Sequence, residues 1–232
     1  MGRVKLTGIR YILRPFLGTI IRVRTNKPVV ALTFDDGPHP EYTPRVLEVL
    51  AKYNAKATFF VVGDAAAKNP QLLPQIRAEG HALGNHSWTH DSFLELSADE
   101  RQSQVRMWED CVGTQPVKLF RPPYGHQTNQ TRLQMWRLGY HVVGWNRDVA
   151  DWNPHSVDDV ANRLCEKIKP GAIVLLHDAI YKSRLENPQF DRRNLIAGLD
   201  KALATLQNTY QFVTLPELLK HGRSMQVIWN MA

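Results

Sequence analysis

The sequence predicts a single α/β domain with a largely parallel sheet, and three observations carry the prediction. From residue 29 onward, seven short apolar runs alternate with stretches of helical periodicity, the pattern of strands buried on both faces by crossover helices. No internal repeat, low-complexity tract or clear linker breaks the alternation. The polar residues best suited to chemistry stand where apolar runs end: Asp35 and Asp36, Arg121, Asp148 to Trp152, and His177. Barrels and open α/β sheets both gather their sites at the carboxyl ends of strands. A barrel better explains how so many strands serve one site.

The elements follow in order. "VVALTF" (29–34) reads as a buried strand. Thr43 and Pro44 supply an N-cap and a proline at the first helical position, and Val46, Leu47, Leu50 and Tyr53 give that helix an apolar face. "ATFFVV" (57–62) is the second strand. Asn69-Pro70 repeats the helix-start signal, and Gly80 ends the helix. A short run at 81–84 leads into "NHSWTH". Ser97 and Glu100 form a capping box for a helix to Val112. "VKLF" (117–120) is a strand ending at "RPPYG"; the next helix ends at Gly139 and "YHVVGW" follows. Ser156 caps a helix to Ile168, and "AIVLLHD" (172–178) is the most apolar strand. Asn194 to Gln207 is helical, "YQFVTL" is a last strand, and Pro216 opens a short terminal helix.

At 232 residues, 43% hydrophobic and 22% charged, the chain can bury one substantial core. A net charge of +7 suggests nucleic acid until it is located. Arg3, Lys5, Arg10, Arg14, Arg22, Arg24 and Lys27 all lie in residues 1–28, which hold no acid, and the remainder has equal numbers of bases and acids. A balanced body argues against a nucleic-acid groove. The chain therefore divides into a basic segment, 1–28, and a domain, 29–232. In the segment, Ile9, Ile12, Leu13, Phe16, Leu17, Ile20 and Ile21 fall at helical spacing between arginines, interrupted by Pro15. It shows no signal-peptide core, and no stretch approaches the ~20 apolar residues of a membrane span. The expectation is a cytoplasmic protein, with weak peripheral binding to a membrane surface through residues 1–28 as an alternative to packing on the domain. Cys111 and Cys165 lack metal spacing and read as reduced thiols.

Five stretches carry chemistry jointly. In "HSWTH", His86 and His90 stand four apart, which on a helical turn would aim both rings at one ion. A carboxylate from the Asp35-Asp36 pair would complete a facial set of two histidines and one acid, suited to Zn²⁺, with Co²⁺, Ni²⁺, Mn²⁺ and Fe²⁺ as alternatives. "RPPYG", "DVADW" and "VLLHD" each have a bland reading: a rigid turn, an acidic loop and a polar strand end. Their joint occurrence in this order favours a site.

In that order the chain resembles the polysaccharide deacetylases of carbohydrate esterase family 4. The matching motifs are Thr33 to Pro38, His86 to His90, Arg121 to Gly125, Asp148 to Trp152, and Leu175 to His177. The resemblance spans about residues 29 to 219 and implies an irregular (β/α) barrel with about seven parallel strands. It implies a metal-dependent hydrolase that removes N-acetyl groups from N-acetylglucosamine-type residues of a glycan, with carbohydrate as partner and no nucleic acid. Residue by residue, it implies Asp36, His86 and His90 as metal ligands, Asp35 as base and His177 as acid. Arg121 would orient Asp35 and keep it charged, and Asp151 would do the same for protonated His177. The Tyr124 backbone N–H would meet the oxyanion, and Trp152 and Leu175 would wall the acetyl pocket.

Two other classes compete. An O-acetyl esterase of the acetylxylan type needs the same machinery, whereas a non-catalytic carbohydrate-binding barrel has no use for the acid–base pair Asp35 and His177. The charged stretch 180–194 could bind an anionic glycan or lipid phosphate through Lys182, Arg184, Arg192 and Arg193, or simply be a solvated loop.

Overall fold

Strand β2 (Val29–Asp35) is buried at every position and lies in the interior of the sheet, paired on both sides. The computed structural model describes residues 18–153, 155–184 and 189–229. Before β2 comes β1 (Thr19–Arg24). After it follow α1 (Tyr42–Lys52), β3 (Ala57–Val61), α2 (Gly63–Lys68), α3 (Leu72–Ala78), β4 (Ala82–Asn85), α4 (Ala98–Val112), β5 (Leu119–Phe120), α5 (Asn129–Arg137), β6 (His141–Val142) and β7 (Arg147–Asp148). The chain continues with α6 (Val157–Lys167), β8 (Ile173–His177), α7 (Arg193–Leu206), β9 (Gln211–Phe212), α8 (Leu215–Leu218) and β10 (Arg223–Val227).

The strand order is β6-β5-β4-β3-β2-β8-β7, all parallel, with β9 pairing β2 beside this path. The result is a curled seven-strand sheet, a half-barrel wrapped by helices. Seven strands were expected, but the set differs. The 210–215 run forms β9 off the main path, while the expected loop "DVADW" contributes β7.

Alternation along β2 explains why a fully apolar run can still deliver polar groups. Val30, Leu32 and Phe34 join the outer core under the helices, and Val29 and Ala31 face the smaller inner cluster. Thr33 and Asp35 continue the inner row. Antiparallel β1 and β10 form a separate ribbon. Ile20 bridges to Val143 and Arg22 to Ala172, so β1 spans the gap between the β6 edge and the start of β8. Ile20 and Val23 are buried, which makes residues 19–24 of the basic segment part of the packed structure. The remaining residues of that segment, 1–17, lie outside the described residues. Among the described residues, no helix is long and apolar enough to cross a membrane, and both cysteines are free.

Helix starts were partly misread. The capping boxes at Ser97 and Ser156 are present, and Thr214 caps α8 just before Pro216. Thr43 is not an N-cap. Its hydroxyl accepts from the His39 N–H at 2.7 Å and donates to Asp178 at 2.5 Å, so it lies inside α1, which begins at Tyr42. The stretch from Asn69 to Gly80 forms only the short α3, and the alanine-rich α2 before it was not anticipated.

His81 gives the fold a testable acid sensitivity. It is buried, and its Nδ1 accepts the Ala57 N–H at 3.1 Å, which requires a neutral ring. Burial, helped by nearby Lys56, pushes its pKa down to about 4. The unfolded chain takes up a proton from about pH 6.5 downward, whereas the native ring resists until about 4. Stability is therefore full above 6.5 and is lost as pH falls toward 4. Between pH 7 and 5 the loss should be about 2 kcal/mol. His81→Gln, which can still accept from Ala57, should shrink that pH dependence in urea melts; an unchanged difference would acquit His81.

Candidate active site

At the carboxyl edge of the sheet, Asp35 on β2 stands in register with His177 on β8. In-register residues of parallel neighbours project to the same face, so the two side chains enter one cavity. The next residue would normally point away. Asp36 instead adopts φ +76°, a left-handed turn that Asp tolerates better than most residues, and its carboxylate also reaches the cavity. This answers why two aspartates stand side by side: the backbone reverses between them. Gly37 follows because there is no room for a side chain. A Cβ there would sit 2.2 Å from the Asp178 carboxylate.

His86 and His90 reach the same point, but not on a helical turn. Ser87 (φ +67°) and His90 (φ +60°) are left-handed, and side chains hold the loop. Gln104 Oε1 accepts the N–H groups of Trp88 and Thr89, Ser87 Oγ accepts that of His90, and Asn85 Oδ1 accepts that of Ser87. The ring centroids are 4.9 Å apart. One donor atom from each of Asp36, His86 and His90 lies within 4.8 Å of the others, and all three residues are buried.

The chemistry of this trio fits a cation. His86 Nδ1 lies 2.7 Å from the Arg121 carbonyl oxygen, which can only accept. The proton of the neutral ring is therefore on Nδ1, leaving a lone pair on Nε2. That lone pair faces Asp36 Oδ1 at 3.3 Å, and His90 Nε2 lies 3.0 Å from the same oxygen. Asp36 Oδ1 is buried without a hydrogen-bond donor. Acceptors converging in a dry site are stable only around a positive charge. Burial alone would raise the Asp36 carboxyl's pKa, yet neighbouring positive charge, that of His90 first and of the more distant His177 after it, brings it well below the usual carboxylate range. A divalent ion would act in the same direction.

Arg121, fully buried, donates through Nη1 to Asp35 Oδ1 at 2.6 Å and to Thr33 at 2.8 Å, and through Nη2 to the Gly144 carbonyl at 3.0 Å. Its guanidinium lies 4.1 Å from the centre of the Phe60 ring. Asp35 is thus clamped. His177 Nδ1 meets Asp151 Oδ1 at 3.0 Å, while Asp151 Oδ2 accepts the His177 backbone N–H, also at 3.0 Å. Burial disfavours the imidazolium, but Asp151, with Asp36 and Asp35 behind it, overrides this and carries the His177 pKa to about 9.

The cavity, about 300 Å³, is lined by Asp35, Asp36, His86, His90, His177, Tyr124, Trp152 and Leu175 together with Trp145, Asp148 and residues 180 and 182–184. Every expected site residue except Arg121 and Asp151 lines it, and those two hold the groups that do. Tyr124 (φ +58°) packs edge-on against His90, and Trp152 edge-on against His177. Lys182 and Arg184 reach the rim but are paired with Asp91 and Glu95. Residues 185–188, inside the charged stretch, lie outside the described residues.

Sequence reasoning overlooked several groups here. Trp145 stood in the quoted "YHVVGW" and walls the cavity. Asp178, next to His177, is fully buried, and burial raises its pKa to about 7. Tyr181 donates its backbone N–H to Asp36 Oδ2 at 3.0 Å. Arg192, grouped with the loop cations as a ligand for anions, is instead entirely buried against Asp151. Its signal was position: a cation at a helix N-terminus opposes the helix dipole, so it calls for another partner.

Comparison with known proteins places these features. Residues 22–143 match the polysaccharide deacetylase family. A Bacillus cereus peptidoglycan-N-acetylglucosamine deacetylase is 37% identical over 207 residues, covering 86% of this chain and 92% of that protein. An Azorhizobium caulinodans chitooligosaccharide deacetylase is 35% identical over 166 residues, covering 70% and 79%. Among solved structures, a carbohydrate esterase family 4 pseudoenzyme from Bacillus anthracis superposes with a TM-score of 0.76 at 30% identity, covering 90% of this chain and 72% of that one. Its likeness shows that the fold can exist without the activity, so the side chains must decide the chemistry. By sequence and by fold, the chain belongs to the polysaccharide deacetylase family, carbohydrate esterase family 4.

Proposed function

We propose that this chain is a metal-dependent N-deacetylase acting on N-acetylglucosamine residues of a chitooligosaccharide, peptidoglycan-like or lipid-linked glycan. The carrying observation is that Asp35, clamped by Arg121, and His177, paired with Asp151, flank one cation-ready trio on neighbouring strands. Asp36, His86 and His90 would hold the ion, and their N/O donor set favours Zn²⁺. When bound, such an ion supplies Lewis acidity, lowering the pKa of water and polarising a carbonyl.

The chain's own groups do the rest. Asp35 takes a proton from the attacking water, whose oxygen bonds to the acetamide carbon. The backbone N–H of Tyr124, a residue that lines the cavity, would donate to the developing oxyanion. His177 then delivers its proton to the nitrogen as the carbon–nitrogen bond breaks, giving acetate and a free amine. Trp152 and Leu175 would shelter the methyl group, and the charge-balanced rim formed by Lys182–Asp91 and Arg184–Glu95 suits a neutral sugar. An O-acetyl esterase could use the same base, but an amine leaving group needs the elaborately held acid more.

The test is acetate release from N-acetylated chitooligosaccharides, peptidoglycan fragments, lipid-linked sugars and acetylxylan, with and without chelator. Chelator-insensitive turnover, or turnover on acetylxylan alone, would overturn the proposal. His86→Ala and His90→Ala should each reduce metal content by elemental analysis, together with activity, while circular dichroism stays native. Full occupancy in either variant would remove that residue from the ligand set.

A further inference from the structure

Arg192 is the least expected residue near the site. Its side chain is fully buried at the N-cap of α7, where the helix dipole disfavours a cation. Its Nε and Nη2 have no hydrogen-bond partner. Neighbouring Arg193 does what a loop arginine ordinarily does, pairing with Asp191 in solvent. A buried guanidinium with two idle nitrogens is costly, and an apolar side chain would fill the space more cheaply. Whatever keeps Arg192 there must use Nη1.

That nitrogen makes two contacts, both with Asp151: 3.0 Å to the backbone carbonyl oxygen and 3.2 Å to Oδ2. Bridging a residue's main chain to its own carboxylate locks the rotamer. The same Oδ2 accepts the His177 backbone N–H, and Oδ1 meets His177 Nδ1. The carboxylate plane therefore sets the direction of the imidazole, and Arg192 sets the plane. Among the described residues, Asp151 is the only acid in ion-pair contact with Arg192.

We infer that Arg192 is a positioning residue for the proton donor: by pinning Asp151 in one rotamer it aims His177 at the leaving nitrogen. The inference rests on the deacetylase reading above. It touches no substrate atom and acts through Asp151 alone. A mispositioned acid should matter only where a proton must be delivered, so substrates with poor and good leaving groups separate this role from a merely structural one.

The experiment compares metal-loaded full chains on an N-acetylated chitooligosaccharide and on an aryl acetate. Arg192→Met should lower kcat on the amide by about 10²-fold, the scale of a small misplacement of a catalytic group, with a far smaller loss on the aryl acetate. Arg192→Lys, whose single nitrogen can make both contacts, should recover most of the amide rate and also serves if Arg192→Met does not fold. In a His177→Ala background, Arg192→Met should cost nothing further on the amide, because the group it positions is gone. Equal losses on both substrates, or additive losses in the double variant, would overturn the inference, as would Arg192→Lys matching Arg192→Met. If His177→Ala itself spares the amide, the acid assignment fails instead, and the two failures are distinguishable.

Discussion

Asp35→Asn is expected to lower kcat on an N-acetylated oligosaccharide by about 10³-fold, the scale of a lost general base, with metal content unchanged. The two aspartates are adjacent in sequence but do different work. Asp36 faces both histidines, with Oδ1 3.3 Å from His86 and 3.0 Å from His90, whereas Asp35 is held at 2.6 Å by Arg121 and lies 3.7 Å from His86. Asparagine keeps an oxygen to accept from Arg121 Nη1, and Thr33 and Gly144 remain as acceptors, so the guanidinium stays partnered and the barrel should stay folded. The variant loses the basic site alone. Asp36→Asn should lose metal and activity together. Elemental analysis showing equal metal loss in both variants would undo the division of labour.

His177→Ala should be comparably severe on amides, about 10²- to 10⁴-fold, and much milder on aryl acetates, whose leaving groups depart without a proton. Equal loss on both substrates would make His177 a structural or binding residue. The pH profile tests its partner. The acid must be protonated, so the rate falls as pH rises through the His177 pKa. Burial alone would lower that pKa; Asp151 and the more distant Asp36 and Asp35 bring it to about 9. A cation on Asp36 repels the imidazolium, so the descending limb of the loaded enzyme should lie below that value. Asp151→Asn removes the nearest counter-charge and should move this limb further toward acid. The ascending limb, owed to the base side, should stay nearly in place. A limb that does not move would show that Asp151 has no hold on the acid.

How much of this could be read before folding depends on what sort of constraint each residue obeys. The buried strands at 29–34, 57–62 and 172–178 were legible because a strand covered on both faces must be apolar throughout, and these runs are short and rich in β-branched and aromatic residues. The capping box at Ser97 and the cap at Ser156 were legible because their hydrogen bonds are local. The two-residue β7 was not: its pairing with β8 comes from a neighbour 27 positions away, and its own residues carry no strand pattern. The ribbon of β1 and β10 joins the two ends of the described chain, a contact with no local trace.

The site divides along the same line. Asp35, Asp36, His86, His90, Arg121, Asp151 and His177 were readable because they stand in the five ordered motifs that carry the family resemblance. Their partnerships were decided only by tertiary structure. The helical turn expected at His86 to His90 is a loop held by Gln104, sixteen positions from Trp88, because a distant amide could satisfy those N–H groups better than a local turn. Arg192 looked like a surface cation because it stands in a charged stretch, and its position before a helix asks for a partner without saying which. Its place beneath Asp151, 41 residues earlier, exists only once α7 packs beside the loop after β7. Sequence alone thus offered the side chains that its motifs carry, since their chemistry is a property of single residues, and left out Trp145, Asp178 and Tyr181, which lie outside those motifs or carry no signal of their own. Which of them touch, which are dry and which carry a proton was decided by the fold, because those are properties of pairs brought together across the sheet.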